Sequence, residues 1–266
     1  MSIEEAIVGR RDGAGARIAV VDSGVEPGHP WFERARLSHQ RLERKSTGKG
    51  YEVVADDGGD TSGHGTACAG IIHRMVPEAE IVSLRALGPD GRCSRYALIS
   101  ALHHCIKARF DVVNLSLGID LPRKMPLKVS DHHPILRLYE LCDVAYTVGV
   151  SLVAAGPNVE HLRTYPGRFK ALIGVGRAPF DDTERLGSEP TQDFEILAPG
   201  TDVLAPALGG KERRWTGTSF AAPFVSAHVA RLRAAQPDLP VHAIKSSLHR
   251  LASAQARGET GAAEAS

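Results

Sequence analysis

The chain has 266 residues, of which 42% are hydrophobic, and its 32 Lys and Arg almost balance its 31 Asp and Glu. A formal net charge of +1 gives no electrostatic attraction to nucleic acid or an anionic membrane, so neither partner is expected. The apolar runs fall short of the roughly 18 residues that a membrane span needs. The start, Met1 to Glu5, is polar and acidic rather than basic and apolar like a secretory signal, which predicts a cytoplasmic protein.

Short apolar runs separated by helical patterns follow one another along the chain. The runs are too continuous for strands with one solvent face, so they predict strands buried on both faces. They lie at 17–21, 80–84, 111–115, 151–155, 171–175 and 194–198. Helical spacing is found at Leu98, Leu102, Cys105 and Ile106, at Ile135, Leu138, Leu141 and Cys142, and from Ser219 to about Gln236.

Strands that alternate with helices predict an α/β fold, arranged as three α/β/α layers around a mainly parallel central sheet. We expect one domain over residues 1–251, followed by a disordered polar tail over 252–266. In such sheets ligands bind at the carboxyl ends of the strands, and Asp22 comes directly after the first strand.

Three motifs place an aspartate, a histidine and a serine in glycine-rich surroundings. They are Asp22-Ser23-Gly24, His64-Gly65-Thr66 and Gly217-Thr218-Ser219. A serine hydroxyl is a poor nucleophile at neutral pH, so it needs a base, and the base needs an acid that fixes its tautomer. Each residue alone has a simpler interpretation, because aspartate and serine often cap turns and helices. Together the three predict a catalytic triad.

The serine at 219 is expected to open a long helix, with Pro223 within the first turn, which tolerates proline. The backbone N–H at such a helix start points toward negative charge that develops on a substrate oxygen.

These motifs, their order and the stretch between about Arg17 and about Arg250 resemble the subtilisin-like serine proteases, or subtilases. The resemblance implies a serine endopeptidase with a peptide or protein substrate, no cofactor and no catalytic metal. Asp22, His64 and Ser219 take the positions of the family's triad. The calcium loop that many secreted relatives insert after the catalytic histidine is not expected here, because 71–77 runs directly to the next strand.

The resemblance also implies an oxyanion asparagine and a substrate cleft. Asn158 is the candidate oxyanion donor, although Pro157 stands between Gly156 and Asn158, where the family has glycine followed directly by asparagine. If Arg92 or Arg95 faces the cleft, acidic or polar residues before the scissile bond would be preferred; otherwise each is a solvated loop arginine. The predicted substrate-binding residues are Arg92, Cys93, Ser94, Ser116, Leu117, Gly118 and Gly156.

Four cysteines, at 68, 93, 105 and 142, lack the spacing of a metal site and are expected to be free thiols. Cys68 follows His64 by one helical turn and could lie beneath it, as a small buried side chain or a redox switch. Residues 119–133 form an apparent insertion, either a solvated loop or a lid or docking surface for an unidentified protein partner.

Two alternatives to a general endopeptidase share the same residues. One is a maturation protease or transpeptidase dedicated to one peptide, since only water exclusion distinguishes acyl transfer from hydrolysis. The other is a partner-gated or inert subunit in which Pro157 has displaced Asn158.

Overall fold

A computed structural model describes residues 11–48, 50–88, 90–124, 126, 129–191 and 193–258. The helices are α1 His64–Met75, α2 Arg95–Lys107, α3 Val129–Thr147, α4 Thr218–Ala235 and α5 Val241–Ala256, with a 3-10 turn at Pro30–Phe32. The strands are β1 Arg17–Asp22, β2 Gly24–Val25, β3 Arg36–Arg44, β4 Tyr51–Ala55, β5 Gly59–Asp60, β6 Glu80–Arg85, β7 Val112–Leu115, β8 Ile119–Pro122, β9 Ser151–Ala155, β10 Leu162–Tyr165, β11 Ile173–Ala178, β12 Gly187–Ser188, β13 Ile196–Pro199, β14 Val203–Ala207 and β15 Lys211–Trp215.

Nine strands build the central sheet in the order β12-β13-β11-β9-β7-β1-β6-β3-β4. The neighbours from β13 to β3 run parallel, and β12 and β4 add antiparallel edges. The six predicted strands are the consecutive strands β13 to β6 of this order.

Helices cover both faces of the sheet, because successive side chains of a buried strand point to opposite sides. On β1, Ile18 and Val20 belong to a core formed with α1, α4 and α5. Ala19 and Val21 belong to a second core formed with α2 and α3. The predicted three-layer α/β/α fold is thereby confirmed.

Three central strands end at the same edge of the sheet, and candidate site residues lie at or directly after their ends. β1 ends at Asp22, β7 ends one residue before Ser116, and β9 ends one residue before Gly156. Helices α1 and α4, which start at this edge, pack against each other. The carboxyl ends of the strands are therefore where the site is assembled, as expected for a parallel sheet.

Two sequence expectations need correction. Residues 119–122 are not a free loop, because β8 pairs with β10, and α3 already begins at Val129; residues 125, 127 and 128 lie outside the described part. The predicted tail starts too early at 252, since α5 continues to Ala256 and buries Ala252 and Ala254 against the core. Residues 259–266 lie outside the description.

Within the described ranges, no helix combines the length and the apolar character needed to cross a bilayer.

Candidate active site

A short hydrogen bond joins the aspartate and the histidine of the predicted triad. Asp22 Oδ1 lies 2.8 Å from His64 Nδ1, and the same oxygen accepts the backbone N–H of Ser23 at 2.7 Å. Asp22 is fully buried, while a quarter of the His64 side chain is exposed. This geometry fixes the proton on Nδ1 and leaves Nε2 as the basic nitrogen, the arrangement that a general base requires.

The electrostatics of this pair favour the charged imidazole. Burial alone lowers the pKa of His64, but the charge and hydrogen bond of Asp22 outweigh burial and raise the pKa above the ordinary histidine value of 6.5. Asp22 Oδ2 is buried without a hydrogen-bond partner among the described residues, so the carboxylate charge is directed largely at His64.

Close backbone approach explains two glycines beside the pair. A Cβ at Gly24, whose φ is 106°, would lie 2.0 Å from the carbonyl oxygen of Gly59. A Cβ at Gly65 would lie 2.1 Å from the carbonyl oxygen of Gly24. Both positions therefore exclude any larger residue, and this lets α1 approach the end of β1.

A carboxylate that the sequence analysis did not assign, Asp60, joins the aspartate and histidine segments. It accepts hydrogen bonds from the Ser23 hydroxyl at 2.6 Å, from the Thr66 hydroxyl at 2.6 Å and from the Thr66 backbone N–H at 2.8 Å. It also accepts the backbone N–H groups of Ser62 and Gly63, each at 2.9 Å. Asp60 therefore caps the helix that starts at His64 and anchors the residue next to Asp22.

The nucleophile candidate begins α4, but its helix carries a proline further in than predicted. The helix starts at Thr218, so Pro223 is its sixth residue and lies beyond the first turn. Because proline has no N–H, the Ser219 carbonyl four residues earlier lacks its helical partner. Two side chains donate to that carbonyl instead, the Ser116 hydroxyl at 2.7 Å and the Cys68 thiol at 3.5 Å.

The Ser219 hydroxyl in turn donates to the Ser116 carbonyl oxygen at 3.0 Å. In this structure the hydroxyl is therefore directed to the segment after β7, and no hydrogen bond joins it to His64 among the described residues. Loose or misaligned catalytic hydrogen bonds are common in enzymes without substrate.

Cys68 lies beneath the histidine, as its position one turn after His64 indicates. Its sulfur is 3.9 Å from His64 Nδ1 and fully buried. Burial raises the pKa of the Cys68 thiol, which keeps it protonated as a donor at neutral pH. The four cysteines are all free, in agreement with the expected thiols.

Asn158 lies beside the start of α4 despite the preceding proline. Its Oδ1 accepts the Thr218 backbone N–H at 2.9 Å, which identifies the oxygen end of the amide because the partner is a donor. The NH₂ group then remains available for a substrate oxygen. The Thr218 hydroxyl also donates to the Gly156 carbonyl at 2.8 Å, so the segment after β9 is tied to the helix start.

A cleft of about 370 Å³ opens beside His64, and most of the predicted substrate-binding residues line it. One wall is the segment between β6 and α2, and the other is the segment after β7. The lining includes Arg92, Cys93, Ser94, Ser116, Leu117 and Gly118.

Two of the predicted substrate residues have additional or different roles. The Ser94 hydroxyl caps α2 by accepting the Ala97 N–H at 3.0 Å, and it donates to the Tyr51 hydroxyl at 3.0 Å. Gly156 is buried, and its N–H donates to the Val175 carbonyl at 2.8 Å; it is not among the residues lining the cleft.

Known proteins show what this arrangement is similar to. A sequence model of the subtilase family matches residues 13–265. The chain is 26% identical over 236 residues to an intracellular serine protease of Paenibacillus polymyxa, covering 83% of this chain and 67% of that protein. It is 27% identical over 244 residues to the major intracellular serine protease of Bacillus subtilis (strain 168), covering 83% and 69%. It is also 30% identical over 240 residues to the minor extracellular protease Epr of B. subtilis, covering 85% of this chain but only 33% of Epr.

The fold has a solved counterpart in the crystal structure of a cold adapted subtilisin-like serine proteinase. The two superpose with a TM-score of 0.67 at 23% sequence identity, covering 90% of this chain and 82% of that one. Together with the family match over residues 13–265, this establishes that the chain belongs to the subtilase family of serine-type endopeptidases.

Proposed function

We propose that this chain hydrolyses peptide bonds through an Asp22-His64-Ser219 triad and an acyl-enzyme intermediate. The observation that carries the proposal is the 2.8 Å hydrogen bond between buried Asp22 and His64, at the sheet edge where α4 begins at Thr218, one residue before Ser219. His64 Nε2 takes the proton of the Ser219 hydroxyl as the oxygen attacks the substrate carbonyl. Asp22 orients the ring and stabilises the imidazolium.

The oxyanion site in this proposal combines the Asn158 NH₂ group with the Ser219 backbone N–H. Asn158 is held by Thr218, one residue before the nucleophile, so the two donors belong to one connected unit. When the intermediate collapses, His64 returns its proton to the leaving amine, and water then hydrolyses the acyl-enzyme by the same route.

We further propose that the enzyme is intracellular and selective. Two similar proteins are named as intracellular serine proteases, and four free cysteines suit a reducing compartment. A similar protein named as extracellular also exists, so the compartment is tested directly by fractionating cells that express the full chain.

A second candidate is a site that a partner or substrate must switch on. It is favoured by one observation, the Ser219 hydroxyl that donates to the Ser116 carbonyl. In this case the same triad performs hydrolysis or transfers the acyl group to an amine of one dedicated peptide.

Labelling with a fluorophosphonate probe, read by intact mass, tests the proposal without knowledge of the substrate. Stoichiometric modification of the wild type that Ser219→Ala abolishes supports a competent nucleophile, and peptide turnover in that variant should fall by on the order of a millionfold, as in subtilisin itself. A folded wild-type protein that does not react favours the gated site, and reaction at a different residue contradicts the triad.

A further inference from the structure

The charges around the cleft beside His64 are of one sign. Arg92 and Arg95 both line it, and no carboxylate belongs to the described residues of the lining. The nearby Asp90 uses Oδ1 to accept the Arg92 backbone N–H at 3.1 Å, so it braces the loop from outside the lining. Cys93 adds no charge, because burial raises the pKa of its thiol to about 11.

The Arg92 side chain is exposed, and no ion pair with another described residue involves it. An arginine left in this state at a cleft wall keeps its five N–H donors for a ligand.

Arg95, which is half-buried, lies on the same wall of the cleft as Arg92. It is the first residue of α2, whose first turn contains no acidic residue. The positive end of a helix dipole favours carboxylates there and disfavours cations. The helix dipole therefore does not favour arginine at this position, and Arg95 lies beside Arg92 at the same wall.

The geometry points to Arg92, on the wall that Arg95 also lines, as the specificity-determining residue that selects substrates with aspartate or glutamate shortly before the scissile bond. This inference rests on the proposed function, since it concerns the peptide that occupies the cleft next to His64. The wall opposite, Ser116 to Gly118, offers neutral groups only, so the discrimination comes from the arginine wall.

A charge-assisted hydrogen bond that is shielded from part of the solvent is stronger than a fully exposed ion pair. The cleft is open on one side, so we expect roughly a tenfold preference for glutamate over isosteric glutamine at the contacted position. The preference should shrink as salt is raised from about 20 mM to about 500 mM, because an exposed charge pair is screened.

The test uses quenched fluorescent peptides that differ only in Glu, Gln or Lys at each of the four positions before the cleaved bond. kcat/KM is measured for the wild type and for Arg92→Gln, Arg95→Gln and the double variant. Lys107→Gln is the matched control, since it removes one positive charge at the other end of α2, about 18 Å from Arg95. We expect the Glu/Gln ratio to fall toward one in Arg92→Gln and in the double variant, and to keep its wild-type value in the Lys107→Gln control.

Binding of the same peptides to Ser219→Ala, measured by fluorescence anisotropy, keeps this inference separate from the proposed function. A Glu preference in binding that depends on the arginines supports it even in a chain that does not turn over. A ratio near one at all four positions, in binding as well as in turnover, overturns it. A Glu preference that survives in the double variant overturns it as well.

Discussion

Ser116 and Ser219 are joined by two hydrogen bonds of opposite direction: the Ser219 hydroxyl donates to the Ser116 carbonyl at 3.0 Å, and the Ser116 hydroxyl donates to the Ser219 carbonyl at 2.7 Å. The second bond exists because Pro223 cannot donate to that carbonyl. The Ser116 hydroxyl is itself held by Asn114 Nδ2 at 2.9 Å, and Asn114 Oδ1 accepts from Ser226 at 3.0 Å. A chain of buried side chains, Ser116, Asn114 and Ser226, thus positions Ser219, the proposed nucleophile.

Ser116→Ala should lower kcat/KM by about 5- to 30-fold, because the partly buried Ser219 carbonyl then keeps only the weaker Cys68 thiol as its donor. Adding Cys68→Ala should cost more than the sum of the single changes, since the carbonyl is then unpaired. Cys105→Ala removes a buried thiol from the opposite face of the sheet and serves as control. Rates of peptide cleavage and of fluorophosphonate labelling measure the effect. Additive losses would show that the two donors do not share a role.

Asn158→Ala should reduce kcat by about 10²- to 10³-fold with little change in KM, because an oxyanion donor acts mainly in the transition state. Asn158→Asp is the informative companion, since it keeps an oxygen for the Thr218 N–H but has no NH₂ group. We expect both variants to lose similar activity in steady-state kinetics. Wild-type activity in Asn158→Asp would mean that Asn158 only anchors the helix start.

Asp60→Asn should lower kcat about 10- to 100-fold and reduce the free energy of unfolding by about 1–3 kcal/mol. An amide group replaces one carboxylate oxygen, so some of the five donors would face a donor in place of an acceptor. Asp12→Asn, which alters an exposed cap of the Ala14 N–H, is the control. Stability from denaturant unfolding and kcat should fall together, and an unchanged kcat in a destabilised variant would confine Asp60 to a structural role.

The acid limb of kcat/KM should have its midpoint above pH 6.5. The base must be neutral to accept a proton, and Asp22 raises the pKa of His64, so the inactive imidazolium persists to higher pH. The profile is measured from pH 5 to pH 10 with a peptide substrate, and the labelling rate should follow the same limb. Activity that stays level down to pH 5 would contradict the assignment of His64 as base.

His228 should make the protein sensitive to acid without taking part in catalysis. It lies within α4, near Glu184, Arg231 and Asp182, and burial together with Arg231 outweighs the attraction of the carboxylates and lowers its pKa to about 4. The unfolded chain binds a proton below about pH 6.5, whereas the folded protein does not until about pH 4. Stability is therefore lost as pH falls through this window, by on the order of 3 kcal/mol.

Replacing His228 removes this pH-dependent loss of stability. His228→Leu should therefore gain stability relative to wild type as pH falls from 6.5 to 4, as measured by urea unfolding at several pH values. His242→Leu, at an exposed position of α5, is the matched control. A constant difference between His228→Leu and wild type across the window would show that His228 is not the responsible group.

The sequence predicted the centre of the sheet better than its edges. The six predicted strands are buried on both faces, so their apolar runs were visible. β3 was missed because Arg36 to Arg44 contains only two apolar residues, Leu37 and Leu42, on a partly exposed strand. β3 pairs with β6 in the folded protein, and no apolar run in the sequence indicates this pairing.

The site shows the same division between local and distant information. The motifs around Asp22, His64 and Ser219 are local. The missing donor for the Ser219 carbonyl is local too, because Pro223 follows Ser219 by four residues, and the sequence alone could have shown it. The role of Asp60 depends on Ser23, 37 residues away, and that of Ser116 depends on Ser219, 103 residues away. Spacing along the chain does not predict such contacts.

Arg231 connects the two catalytic helices at the ends farthest from the substrate. It is buried on α4, about 18 Å along the helix from Ser219, and donates to the carbonyl of Met75 at 2.7 Å, the last residue of the helix that begins with His64. The proposed base and the proposed nucleophile thus lie at the starts of two helices that one buried guanidinium group ties together. Because Arg231 does not line the cleft, a substitution there would change how the two helices are held together without removing a group of the cleft wall.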